Sequence, residues 1–214
     1  MLTDIKNTTH RVVEALALAS FATLWIWLAV RFPRHGGAWM TLALLPLAWL
    51  AADFLGGLVH FVADNFGDPR TPYFGPSFIG PFRDHHTDPA GITRHGFLER
   101  HGNNSMVSLP VLGATLYWPY SPWLDMFVLG TTLGVAITNQ IHCWAHMERP
   151  PRWVAFLQTC RVILPRDHHG AHHTPPYKTN YCILSGWTSG TLNLVVRWLL
   201  RRPDLAVPPQ PKTG

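Results

Sequence analysis

The chain has 214 residues, with 17 Lys and Arg against 12 Asp and Glu, three cysteines and 13 histidines. This length supports one domain with its own core. Cys143, Cys160 and Cys182 form no CxxC pair, which excludes a disulfide scaffold or a zinc ribbon, and the charge of +5 flanks apolar stretches instead of lining one stripe, which argues against a nucleic-acid partner.

Lys6 and Arg11 precede an apolar run over residues 12–30 that can cross a bilayer core of about 30 Å. No clean small-residue cleavage site follows, so it reads as an uncleaved span rather than a signal peptide. Arg31, Pro33, Arg34, His35, Gly36 and Gly37 break it as a hairpin. A second span covers 39–61, with Asp53 inside it and His60 at its far end. Residues 63–105 are polar and turn-rich, yet too specific in residue type for a linker. Residues 106–118 are apolar but short, a tilted or partial span; WPYSPW at 118–123 is a turn with interfacial aromatics, and 123–142 returns. Pro150 and Pro151 end that helix, 153–164 lies at the interface, and 165–180 is a second polar loop. Residues 181–200 form a surface or in-bundle helix, and the Pro-rich 201–214 is a disordered tail. The expectation is an all-α, multi-pass membrane helical bundle of about four spans in one domain, 1–200. A globular helical protein is the alternative.

If both tight turns face outward, all Lys and Arg except Arg31 and Arg34 lie inside, as the positive-inside rule demands. The same topology gathers every histidine but His35 on the inner, cytoplasmic side. Arginine far outnumbers lysine, which points to a bacterial inner membrane, or to the endoplasmic reticulum if the source is eukaryotic.

His10, His35 and His101 fall outside the clusters, leaving ten histidines. His60 and Asp64 stand four apart; His85 and His86 lie in RDHHTDP, with His95 following; His142 and His146 are four apart; and His168, His169, His172 and His173 form two overlapping pairs at that spacing. One zinc takes about four ligands, so ten imidazoles exceed one ion and suffice for two. Imidazole suits iron, zinc and copper alike. The Glu-x-x-His pattern of soluble di-iron bundles is absent. Asp64, Asp88 and Asn104 are candidates to orient ligand imidazoles, with helix or turn capping as the alternative.

The segments ADFLGGLVHFVAD (52–64), GPFRDHHTDPAGITRH (80–95), TNQIHCWAH (138–146) and ILPRDHHGAHH (163–173) resemble the plasmanylethanolamine desaturases, the CarF or Kua lipid-desaturase family. The resemblance runs from about residue 51 to 187. It implies a membrane enzyme that forms the vinyl ether of plasmalogens from ether phospholipids. It further implies two iron ions, O2 as co-substrate and an external electron donor resembling cytochrome b5 or ferredoxin. Ligand roles pass to His60, His85, His86, His95, His142, His146, His168, His169, His172 and His173. His101 stands where animal members have asparagine, and no ubiquitin-conjugating-like domain follows. A plant branch acts instead on the acyl chain of phosphatidylglycerol, so an acyl-lipid desaturase or hydroxylase is the second reading. A non-catalytic membrane metal-binding signalling protein is the third. A zinc hydrolase is disfavoured because His-Glu-x-x-His is missing. No GxGxxG, CxxCH or flavin fingerprint appears, so electrons must come from a separate partner.

Overall fold

A computed structural model describes residues 2–32, 42–72 and 75–200. The first hairpin, including His35, and the 201–214 tail therefore lie outside the described residues. Among the described residues eight α-helices follow in order: α1 (Leu2–Arg31), α2 (Leu44–Asn65), α3 (Gly80–Thr87), α4 (Phe97–Ala114), α5 (Pro122–His146), α6 (Arg152–Thr159), α7 (Arg166–His172) and α8 (Ser189–Leu200). A π-helical turn (Gly75–Ile79) leads into α3 and a 3-10 turn (Pro89–Arg94) leaves it. No strand occurs among the described residues.

Four long helices form the bundle, α1 against α4 and α2 against α5, with α4 and α5 joining the pairs. Three are long and apolar enough to cross a membrane: Thr8–Arg31, Leu44–Asn65 and Pro122–His146. The fourth, α4, begins at Phe97, nine residues ahead of the expected apolar start. Its first two turns carry Glu99, Arg100, His101, Asn103 and Asn104. The bundle explains this early start: Gly102 packs against Glu14 of α1 and Asn104 bonds α5, while Glu99 stays half exposed. Large apolar side chains such as Leu16, Ile26, Leu47 and Leu55 face outward, as a lipid-facing surface requires. Inside, small residues set the spacing. A Cβ on Gly134 would fall 2.6 Å from that of Ala52, so α5 and α2 approach closely only because the glycine is bare.

At the end remote from the histidines, one knot ties three helices. Ser121 caps α5 by accepting from the Leu124 N–H, and Pro122 opens the helix. Just inside, the fully buried Asp125 meets Arg31 of α1 at 3.3 Å. Arg31 also donates to the carbonyls of Thr115 (3.0 Å) and Trp118 (3.4 Å), and its guanidinium lies over the Trp27 and Tyr120 rings. Replacing Arg31 with Met strands a buried carboxylate, which costs about 3 kcal/mol or more. The expected result is a lowered thermal midpoint in detergent with unchanged metal content; an unchanged midpoint would show that the knot carries no stability.

The expected helix over 181–200 is shorter. Residues 181–188 form irregular backbone before α8, and the cause is Asp53. Its Oδ1 accepts the N–H groups of Leu184 (3.2 Å), Ser185 (2.7 Å) and Gly186 (3.0 Å). Its Oδ2 accepts the Thr188 N–H (2.9 Å) and hydroxyl (2.7 Å). One buried carboxylate in span α2 thus supplies the partners that non-helical backbone needs inside a bundle. Gly57 lets this segment seat, since a Cβ there would meet Cys182 Sγ at 2.5 Å.

Candidate metal centre

The ends of α2 and α5 deliver His60 and Asp64, and His142 and His146, to the same end of the bundle. The other histidines come from the two polar segments, which fold into short helices over that end. Arg83 pins α3 to the end of α2 by donating to the carbonyls of Ala63 (3.4 Å), Phe66 (3.0 Å) and Gly67 (2.9 Å). This sets His85 and His86 beside the α2 histidine. Pro165 precedes α7, which carries His169, His172 and His173 into the same space.

Two groups that could each hold a metal ion result. The first holds His85, His142, His146, His169 and His173; the second holds His60, Asp64, His86 and His172. Within the first, His169 Nε2 is 2.8 Å from His142 Nε2, 2.8 Å from His146 Nε2 and 3.1 Å from His173 Nε2, and the His142–His146 separation is 3.2 Å. A neutral imidazole carries one N–H, so one His169 proton cannot satisfy three neighbouring nitrogens. Nitrogens each about 2.1 Å from a shared ion would sit at roughly 3.0–3.4 Å from one another, near what is seen. Burial, with neighbouring histidines adding to it, pushes His85 and His169 well below the usual imidazole range and His173 down to about 3. These rings are therefore neutral, with lone pairs ready for a cation.

In the second group, His60 Nδ1 donates to the Tyr181 carbonyl (3.0 Å) and His172 Nδ1 to that of Thr179 (2.7 Å). Both tautomers are thereby fixed and both Nε2 atoms face inward without a hydrogen-bond partner. Asp64 Oδ2 lies 2.9 Å from His86 Nε2 and 3.4 Å from those of His60 and His172. The residues present thus fit two cations, with Asp64 inside a group rather than behind one.

Eight of the ten expected histidines are brought together. His95 pairs instead with Glu99 (3.4 Å), and His168 bonds Ser189 Oγ (3.0 Å) while covering Gly186, so neither joins a group. Asp88 forms an ion pair with Arg94. Asn104 donates to the Val135 carbonyl (2.9 Å) and accepts from Asn139 (3.4 Å), joining α4 to α5. His101 bonds the Phe97 carbonyl of its own helix (2.9 Å), and His10 pairs with Glu14 (3.2 Å).

A cavity of about 470 Å³ is lined by His85 and His142 together with Arg94, His95, Glu99 and His10. Pro76, Phe78, Pro81 and Phe82 form its apolar wall; Asn103, Asn104 and Asn139 form a polar one. Of the arginines that flank the polar segments, Arg83 is used in capping, Arg166 donates to the Glu148 carbonyl (2.7 Å), and Arg94 lines the cavity while paired with Asp88.

A family model for the lipid desaturase domain matches residues 49–200. The chain belongs to the lipid desaturase family. It is 42% identical over 191 residues to a plasmanylethanolamine desaturase of Myxococcus xanthus, covering 86% of this chain and 68% of that one. It is 45% identical over 161 residues to plasmanylethanolamine desaturase 1 of Mus musculus, covering 70% and 59%. Fatty acid desaturase 4 of Arabidopsis thaliana, a chloroplastic protein, is 33% identical over 148 residues, covering 68% and 45%. The aligned region thus spans only part of each of these relatives. No solved structure matches significantly. Both groups lie wholly within the residues that the family model matches.

Proposed function

We propose that this chain is a membrane di-iron lipid desaturase that converts 1-O-alkyl (plasmanyl) ethanolamine phospholipids into plasmalogens. The observation that carries the reading is the pair of histidine groups, side by side at one end of the bundle, with His85 and His142 of the first lining a cavity. The printed names of two relatives support the ether-lipid substrate. The reaction takes two hydrogens from adjacent carbons, and O2 is reduced to two waters with two further electrons and protons. Those electrons come from a donor resembling cytochrome b5 or ferredoxin. Bound iron supplies the activation of O2. The chain's residues do the rest. His60 and His172 hold their Nε2 atoms toward the second group through bonds to backbone carbonyls. Phe82, its ring 5.2 Å from that of His60, and Phe78 close one wall against water. The positive-inside distribution of Lys and Arg supports a histidine end on the cytoplasmic side, where the electron donor docks.

The test is mass spectrometry of phospholipids from a host that supplies alkyl ether lipids and a donor, with and without the gene. Ethanolamine ether lipids lighter by two hydrogens and destroyed by mild acid are expected. New acid-stable acyl double bonds would favour the second reading, an acyl-lipid desaturase, which the name of the Arabidopsis relative suggests. Unchanged lipids from metal-loaded protein would leave a non-catalytic metal-binding protein.

A further inference from the structure

We propose that the loop over residues 174–180 is where the external electron donor docks, with Tyr177 passing each electron inward to His86 of the second group; this rests on the lipid-desaturase reading. The cavity is lined by His85 and His142 of the first group and by no member of the second. A carrier protein cannot enter a space of about 470 Å³, so its electrons must cross packed atoms from the surface. Tunnelling falls exponentially with distance and passes better through touching rings than through gaps. The second group comes nearest to solvent at His86, whose side chain is 14% exposed, against 0% for His60 and His172 and 6% for Asp64. Against His86 stands Tyr177, 39% exposed, its ring centroid 5.1 Å from that of the imidazole. His86 is in turn 5.1 Å from the ring of His173 in the first group, so an electron that reaches it has a short path to either group.

The loop is exposed but tightly pinned. The Tyr177 N–H donates to the Thr174 carbonyl (3.0 Å), and the Tyr177 carbonyl accepts from the hydroxyl of the buried Tyr181 (2.9 Å). The Thr179 carbonyl holds His172, and Asn180 donates to the His168 carbonyl (3.2 Å) and to Asn193 Oδ1 (2.9 Å). Tyr177 and Asn180 both have left-handed backbone, φ 60° and 57°. That conformation suits asparagine but is costly for a bulky aromatic residue, and such cost collects where function needs a side chain in that place. A surface ring fixed in advance is also a low-entropy anchor for a protein partner. Lys178, exposed beside it, suits the acidic faces that small electron carriers of the haem and iron–sulfur classes present. Each transfer takes one electron from the reduced carrier and gives it to the ion held by His86; the tyrosine ring is neither oxidised nor reduced. Two transfers supply the two electrons that the reaction draws from outside.

The test mixes the full, iron-loaded and oxidised chain, without oxygen or lipid substrate, with the reduced haem domain of cytochrome b5 or with a reduced plant-type ferredoxin. The carrier's absorbance gives the rate of transfer. Dithionite, small enough to use the cavity, is the control reductant. Tyr177→Asn removes the ring and keeps a residue at ease in left-handed backbone. It is expected to slow carrier oxidation about tenfold, as loss of a central interface aromatic does, with metal content and the dithionite rate unchanged. Tyr177→Phe keeps the ring and the wild-type rate. Lys178→Glu slows the carrier at low salt and not at high salt, where the charge is screened. Carrier oxidation at the wild-type rate by Tyr177→Asn overturns the docking point. So does a variant depleted of metal or slowed equally toward dithionite, because the tyrosine then only shapes the metal site. A wild type that dithionite reduces but neither carrier does overturns it too, and the desaturase reading is then judged on its lipid products alone. Transfer that depends on Tyr177, in a chain that leaves the lipids of the expression host unchanged, overturns the desaturase reading and leaves the docking point standing.

Discussion

A His169→Ala variant is expected to lose about half of the bound metal and at least about a hundredfold of desaturase activity. His169 is the hub of the first group, with Nε2 within 2.8–3.1 Å of three other imidazole nitrogens. It is also 1% exposed, so no water can replace it without rearrangement. The matched control is His168→Ala, one residue away. His168 bonds Ser189 and belongs to neither group, so that variant should keep its full metal content. Elemental analysis of the purified proteins separates the two. Equal metal loss from both would sink the division of the histidines drawn from the geometry, and full metal in the His169 variant would remove this ring from the ligand set.

Asp53→Ala is expected to be the most destabilising single change in the membrane part of the molecule. It orphans four backbone N–H groups and the Thr188 hydroxyl inside the bundle. Each buried donor left unpaired costs about 1–3 kcal/mol, so even with relaxation the loss is about 3–5 kcal/mol. The effect should spread to the metal centre. The segment that Asp53 holds begins beside Tyr181, whose carbonyl fixes the tautomer of His60. A depressed thermal midpoint together with weakened metal retention is expected in detergent. Asp53→Asn keeps one acceptor oxygen but turns a donor toward Thr188, and should fall between. A normal midpoint for the Ala variant would mean that the 181–188 backbone finds other partners.

The four-residue spacing of His60 with Asp64 and of His142 with His146 made the clusters legible, because it is a property of one helix. Which cluster meets which depends on packing, and there the sequence was silent. The doublet at 168 and 169 shows this. Identical neighbours in the same short helix end in different surroundings, one against Ser189 and one at the centre of a group. His95 belongs to the motif by its position, but its ring turns to Glu99, four residues on. For Asp64 the spacing allows either an orienting role or a cap; only the approach of His86 and His172 puts it among the imidazoles. Asp53 was visible as an ionisable residue in a span, a signal of importance without content. Its partners lie more than 130 residues away in the chain. The bundle itself was legible from apolar run lengths. The exception was α4, whose polar first turns look like loop until their neighbours are known.

Adjacent residues feed opposite ligand groups: His85 and His86 on α3, and His172 between His169 and His173 at the end of α7. Their ring centroids are 6.3 Å apart for His85–His86 and 5.4 Å for His172–His173. The separation between the groups is therefore bridged twice by covalent geometry within a single helical turn. Four of the nine side chains in the two groups, His60 and Asp64 on α2 and His142 and His146 on α5, stand on spanning helices. The two short helices therefore lace these two legs together at the histidine end, so that the spacing of the groups and the approach of α2 to α5 are one and the same constraint.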